Sequence, residues 1–126
     1  MRVVRRQILC FLLAVTALAF IAGAMMPGEL RETARDALYL SSVDQYAHLF
    51  FCGLMALLLV MLRVPPITVV LILLALGALV ELVQIWIPGR SPTWADFIDD
   101  GVGTLVGVGV AWLLGQWKRL TAGVEG

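Results

Sequence analysis

The side chains of this sequence that can do acid–base or ligand chemistry are few, and they are oddly placed. Glu81 lies inside an apolar run, with Gln84 at i+3 and Gly77 at i−4 on the same helical stripe. It sits about 9 Å below the end of that run at the helical rise, where an unpartnered charge is costly and a functional role is the default expectation. The competing structural role is an interhelical hydrogen bond. Asp44 and His48, at i and i+4, open another apolar run; Asp44 also suits an N-cap. His48 is the sole histidine, and a lone histidine is commonly a hydrogen-bonded structural residue. Arg90 is held in the turn Pro88-Gly89-Arg90-Ser91-Pro92, where its planar fork suits a carboxylate, a phosphate or a lipid headgroup. Asp96, Asp99 and Asp100 begin the last apolar run, where acids also favour a helix N-terminus. Asp96 and Asp100 share a face that continues through Gly103 and Gly107, a small-xxx-small spacing that admits a close helix neighbour. Gly77, Gly103 and Gly107 are therefore read as packing positions, with homo-oligomerisation as the alternative use of the glycine pair.

The elements that must position these groups are membrane helices. The chain has 126 residues, 61% of them hydrophobic and 14% charged, against roughly 45–50% and 25% in soluble domains. Its mean hydropathy is +0.96. The apolar residues fall in long blocks near 7–26, 46–62, 67–87 and 98–117, each close to the roughly 20 residues a bilayer core requires. Backbone groups cannot go unpaired in hydrocarbon, so an all-α, four-helix membrane bundle forming one domain over 1–126 is expected. The first block resembles a signal peptide, with Ala22-Gly23-Ala24 as a cleavage site, but its length favours a retained helix. Residues between Glu29 and Leu40, with acids and bases three or four apart, predict a short interfacial helix in the first connection. The tight Arg63–Pro66 link makes the second and third blocks a hairpin.

Counting Lys and Arg orients the chain. With both termini inside, the inner segments hold six (Arg2, Arg5, Arg6, Arg63, Lys118, Arg119) and the outer three (Arg31, Arg35, Arg90), which favours N-in, C-in. Trp86, Trp94, Trp112 and Trp117 lie near block ends, as interface anchors do. In that topology Asp44, His48, Glu81, Gln84, Arg90, Asp96 and Asp100 all reach the outer level, so one outward polar pocket accounts for them together.

A net charge of zero argues against nucleic-acid binding. Cys10 and Cys52 both fall in apolar blocks and read as small hydrophobes. One histidine and scattered carboxylates show no ligand spacing, so the sequence suggests no metal site and no cofactor.

The chain resembles the VanZ-like family of small bacterial membrane proteins, named for an accessory glycopeptide (teicoplanin) resistance protein. The matching elements are Asp44-Gln45-Tyr46-Ala47-His48, Glu81-Leu82-Val83-Gln84, Pro88-Gly89-Arg90 and Asp96-Phe97-Ile98-Asp99-Asp100, with Gly103 and Gly107 beyond. Gln45 stands where the family commonly has lysine and Asp100 where it has asparagine, which would make this pocket more acidic. The resemblance implies a multi-pass protein of the bacterial inner membrane. Its expected partners are membrane lipids, a lipid-linked cell-wall precursor or a glycopeptide. In the leading reading Arg90 meets phosphate or carboxylate, Gln84 and His48 add hydrogen bonds, and Glu81 with the aspartates orients them. The alternative is a membrane enzyme with His48 and Glu81 as its acid–base pair. Proton-coupled transport ranks third, because the inner halves of the blocks lack matching polar groups.

Overall fold

The computed structural model describes residues 1–37, 46–91 and 93–124. Among them the chain is all helical: α1 (Arg2–Met25), α2 (Gly28–Ala37), α3 (Ala47–Met61), α4 (Pro66–Gln84) and α5 (Trp94–Val124). α1, α4 and the Trp94–Arg119 portion of α5 are long and apolar enough to cross a membrane. The sequence reading expected four crossings, and α3 is the exception by length. Its 15 residues span about 22 Å, short of the roughly 30 Å hydrocarbon core.

Several helix ends have visible causes. α1 begins at Arg2, so the basic cluster expected to precede the helix is part of it. The predicted short helix of the first connection forms over Gly28–Ala37, and none of its residues is buried. Pro66 stands in the first turn of α4, where its missing N–H costs nothing. α4 ends at Gln84, three residues before the expected limit at 87. Beyond it the Ile85, Trp86 and Ile87 amides donate to carbonyls three residues back, at 3.4, 3.1 and 3.1 Å. This tightening is what Pro88 demands, since a proline disfavours the helical conformation in the residue before it.

The chain alternates direction. The ends of α1 and α4 meet the starts of α3 and α5, because Gln84 reaches Ala24, His48 reaches Asp100 and packs on Phe20, and Glu81 accepts the Thr93 amide. α3 touches α1, α4 and α5, and its seam with α5 is the most extensive. That seam is built on glycine. A Cβ at Gly103 would run into the Leu49 carbonyl and one at Gly107 into the Gly53 carbonyl, while one at Gly53 would lie 3.1 Å from the Gly103 oxygen. The small-residue spacing thus serves α3–α5 packing within one chain. The core is Phe20, Ala24, Cys52, Met55, Ala56, Val69, Leu73 and Val80. Outside it Val4, Ile8, Phe11, Val15 and Leu18 of α1, Leu71 and Leu79 of α4 and Leu105 and Val106 of α5 are exposed. Apolar surface on this scale is a lipid-facing surface.

Candidate functional site

The polar groups converge where α3 and α5 begin and α4 ends. His48, in the first turn of α3, directs Nδ1 at Asp100 Oδ1, 2.8 Å away. Its ring packs T-shaped against Phe20 of α1, 5.5 Å centroid to centroid, which restrains the imidazole plane. The other ring nitrogen, Nε2, lies 4.0 Å from Asp96 Oδ2. Asp100 is wholly buried, and its Oδ1 also accepts the Cys52 thiol at 3.3 Å. The i,i+4 spacing of Asp96 and Asp100 thus puts both carboxylates beside one imidazole, one on each ring nitrogen.

Glu81 faces the same centre from α4. Its Oε2 accepts the Thr93 amide at 3.0 Å, and Thr93 Oγ1 in turn accepts the Asp96 amide at 3.2 Å. Thr93 therefore caps α5, in the first half of a capping box whose N3 residue is Asp96. The pattern Thr93-Trp94-Ala95-Asp96 carried that signal, and the sequence reading assigned capping to the aspartates instead. Two buried carboxylate oxygens, Glu81 Oε1 and Asp100 Oδ2, accept no hydrogen bond among the described residues. Gly77 leaves the space that Asp100 occupies, since a Cβ there would lie 2.6 Å from Oδ2.

Gln84 and Arg90 belong to a neighbouring feature. Gln84 Nε2 and one Arg90 guanidinium nitrogen both donate to the Ala24 carbonyl, at 3.0 and 3.1 Å. That carbonyl lies in the last turn of α1, where helix carbonyls lack intrahelical partners and a cation is favoured. Both side chains thus tie α1 to α4 and to the turn that follows it. The turn itself is pinned by the Gly28 amide, which donates to the Pro88 carbonyl at 3.0 Å, and Gly89 takes the left-handed conformation at φ 73°. Asp44 and Gln45 lie outside the described residues. Neither cysteine is in a disulfide, and Cys10 is exposed.

Beside the polar centre an open groove of about 350 Å³ runs between α4 and α5. Ala78, Leu82, Ile85, Trp94 and Phe97 form its apolar walls, and Glu81 and Thr93 its polar edge.

The family model of VanZ/LLP1 matches residues 8–115, which takes in every helix that builds this centre. The chain belongs to the VanZ/LLP1 family. No curated protein and no solved structure matches it. In this VanZ-family membrane protein His48, Glu81, Asp96 and Asp100 lie in one cluster, and Asp100 is its most buried member.

Spacing along the chain gave no ligand pattern, yet folding brings one ligand atom each of His48, Glu81 and Asp100 within 4.8 Å of one another. The arrangement can do two kinds of chemistry. The His48–Asp100 pair is an oriented imidazole of the sort used in proton transfer, and the carboxylates form an electron-rich cage.

Proposed function

We propose that this protein is a cell-envelope factor of the bacterial inner membrane whose polar centre opens outward and binds an amphiphile. The chain of the amphiphile lies in the α4–α5 groove, and its polar head reaches Glu81 and the His48 cluster. The observation that carries this reading is the groove itself: apolar walls in line with the lipid-facing surface end at a buried carboxylate with an unused oxygen. Its volume lies at the low end of small-molecule sites, roughly 300–1,000 Å³. A membrane lipid or lipid-linked cell-wall precursor, entering from the bilayer, fits such a groove better than a bulky glycopeptide. Any contribution to glycopeptide (teicoplanin) resistance is then indirect, through altered envelope chemistry.

Native mass spectrometry of gently purified protein tests this. A defined lipid or precursor should accompany the wild type, be lost when Ala78→Trp fills the groove, and be depleted by Glu81→Gln. Arg90→Ala should lower occupancy less, since Arg90 donates to the Ala24 carbonyl at the α1–α4 junction and is not among the groove-lining residues. Identical annular lipids on all of these proteins would sink the reading.

The 2.8 Å His48–Asp100 hydrogen bond favours a second reading, a membrane enzyme in which His48 is the acid–base group. That protein would keep its ligand in His48→Gln and lose turnover of it.

A further inference from the structure

The geometry points to a divalent-cation site formed by His48, Glu81 and Asp100. The three come from three different helices, and one ligand atom of each lies within 4.8 Å of the others. Protein nitrogen and oxygen ligands sit about 2.0–2.2 Å from a metal such as zinc, so the ligands of a tetrahedral site stand about 3.3–3.6 Å apart. Side-chain movements of about 1 Å close the remaining gap.

An acidic cluster alone is not a site, and here a second observation points to a ligand. Asp100 is 0% exposed and Glu81 9% exposed, yet Asp100 Oδ2 and Glu81 Oε1 accept no hydrogen bond among the described residues. Buried acceptors are ordinarily satisfied. Asp100 Oδ2 lies against Gly77 of α4, one turn before Glu81 on the same helix. The partnered oxygens are already spent, Oε2 on the Thr93 amide and Oδ1 on His48 and Cys52. Against three carboxylates, counting Asp96 at 4.0 Å from the ring, His48 supplies one positive charge at most. A divalent cation balances that charge in a low-dielectric setting and gives both orphan oxygens a partner.

Asp100 stands on the Nδ1 side of the His48 ring, 2.8 Å away, so a cation that His48 and Asp100 share would sit on that side of the imidazole. One imidazole with two carboxylates suits a cation of borderline hardness, Zn²⁺ or Mn²⁺, and three protein ligands leave coordination positions open. The site shares Glu81 with the polar edge of the groove. A cation there also changes what the groove can accept, because an anionic headgroup would meet positive charge at its polar end.

The test uses the full chain, purified through a histidine-free tag in detergent micelles and stripped with chelator, then titrated with Zn²⁺ and Mn²⁺. One equivalent of either ion is expected to bind. Glu81→Gln, which retains an acceptor for the Thr93 amide, should weaken binding at least tenfold, whereas Glu29→Gln on exposed α2 should leave it unchanged. Pulsed EPR of the Mn²⁺ complex should show nitrogen modulation, and His48→Gln should abolish it. Absence of a site tighter than on the order of 100 μM, wild-type affinity in Glu81→Gln, or a Mn²⁺ spectrum without nitrogen modulation would each overturn the assignment. If Glu81→Gln does not fold, the wild-type spectrum decides, because the chain holds a single histidine. Loss of the metal with retention of the lipid, or the reverse, separates this site from the groove.

Discussion

At the scale of single residues, the centre depends on the absence of a methyl group at Gly77. A Cβ there would lie 2.6 Å from Asp100 Oδ2 and 3.3 Å from the Asp100 Cβ, so Gly77→Ala must displace a buried carboxylate held by His48 and Cys52. Overpacking of this kind costs about 1–3 kcal/mol. If the penalty acts through Asp100, it should shrink sharply in an Asp100→Ala background, because neighbouring sites are not additive. Unfolding of the four proteins in micelles measures that coupling, and equal penalties in both backgrounds would refute it. The same contact marks the limit of what the sequence disclosed. Glu81, His48, Asp96 and Asp100 stand out because polar groups are rare in apolar helices. The pairing of His48 with Asp100 spans 52 residues, and helical periodicity on each segment cannot choose between Asp96 and Asp100 as the partner. Gln84 and Arg90 are conspicuous for the same reason, but their partner is the Ala24 carbonyl, a backbone atom that residue types do not reveal.

At the scale of helices, the seam between α3 and α5 sets the spacing of the centre, since His48 rides on one helix and Asp96 and Asp100 on the other. Gly107→Ala would drive a Cβ into the Gly53 carbonyl and within 2.8 Å of the Ala56 Cβ, whereas the space around Gly109 is open. Backbone cannot yield as a flexible side chain can. Gly107→Ala should therefore lose on the order of 1–3 kcal/mol, while Gly109→Ala should be neutral or gain up to about 1 kcal/mol of helix propensity. Thermal unfolding in micelles distinguishes them, and equal behaviour would mean that the close approach contributes nothing. The glycine spacing on α5 was legible, but its receiving surface at Leu49 and Gly53 was not, because Gly53 sits alone in an apolar run. Helix existence was legible throughout from the long apolar blocks. Helix limits followed less regular causes: α4 stops at Gln84 because Pro88 reshapes the turn before it, and α5 continues to Val124 because nothing after Trp117 breaks it.

At the scale of the whole molecule, helix direction and charge together determine which side of a membrane the centre faces. α3 is short for a crossing, and a count of long apolar helices alone would give three crossings, with the termini on opposite sides. The contacts require a different parity. Ala24 at the end of α1 meets Gln84 at the end of α4, and His48 at the start of α3 meets Asp100 near the start of α5, so both chain termini lie at the end remote from the centre. α3 must then bridge the two ends of the bundle, sheltered by α1, α4 and α5. Its shortness in residues matters less there than it would for a helix alone in lipid, because its middle, at Cys52, Met55, Ala56 and Leu58, is buried against protein. With both termini at one end of the bundle, the positive-inside rule predicts that they lie in the cytoplasm and the centre outside. Reporter fusions at either terminus, one active only outside the cytoplasm and one fluorescent only within it, should both read cytoplasmic. Termini on opposite sides would break the parity argument itself, and termini both outside would leave the bundle intact but turn its centre, and any ligand it takes, toward the cell interior.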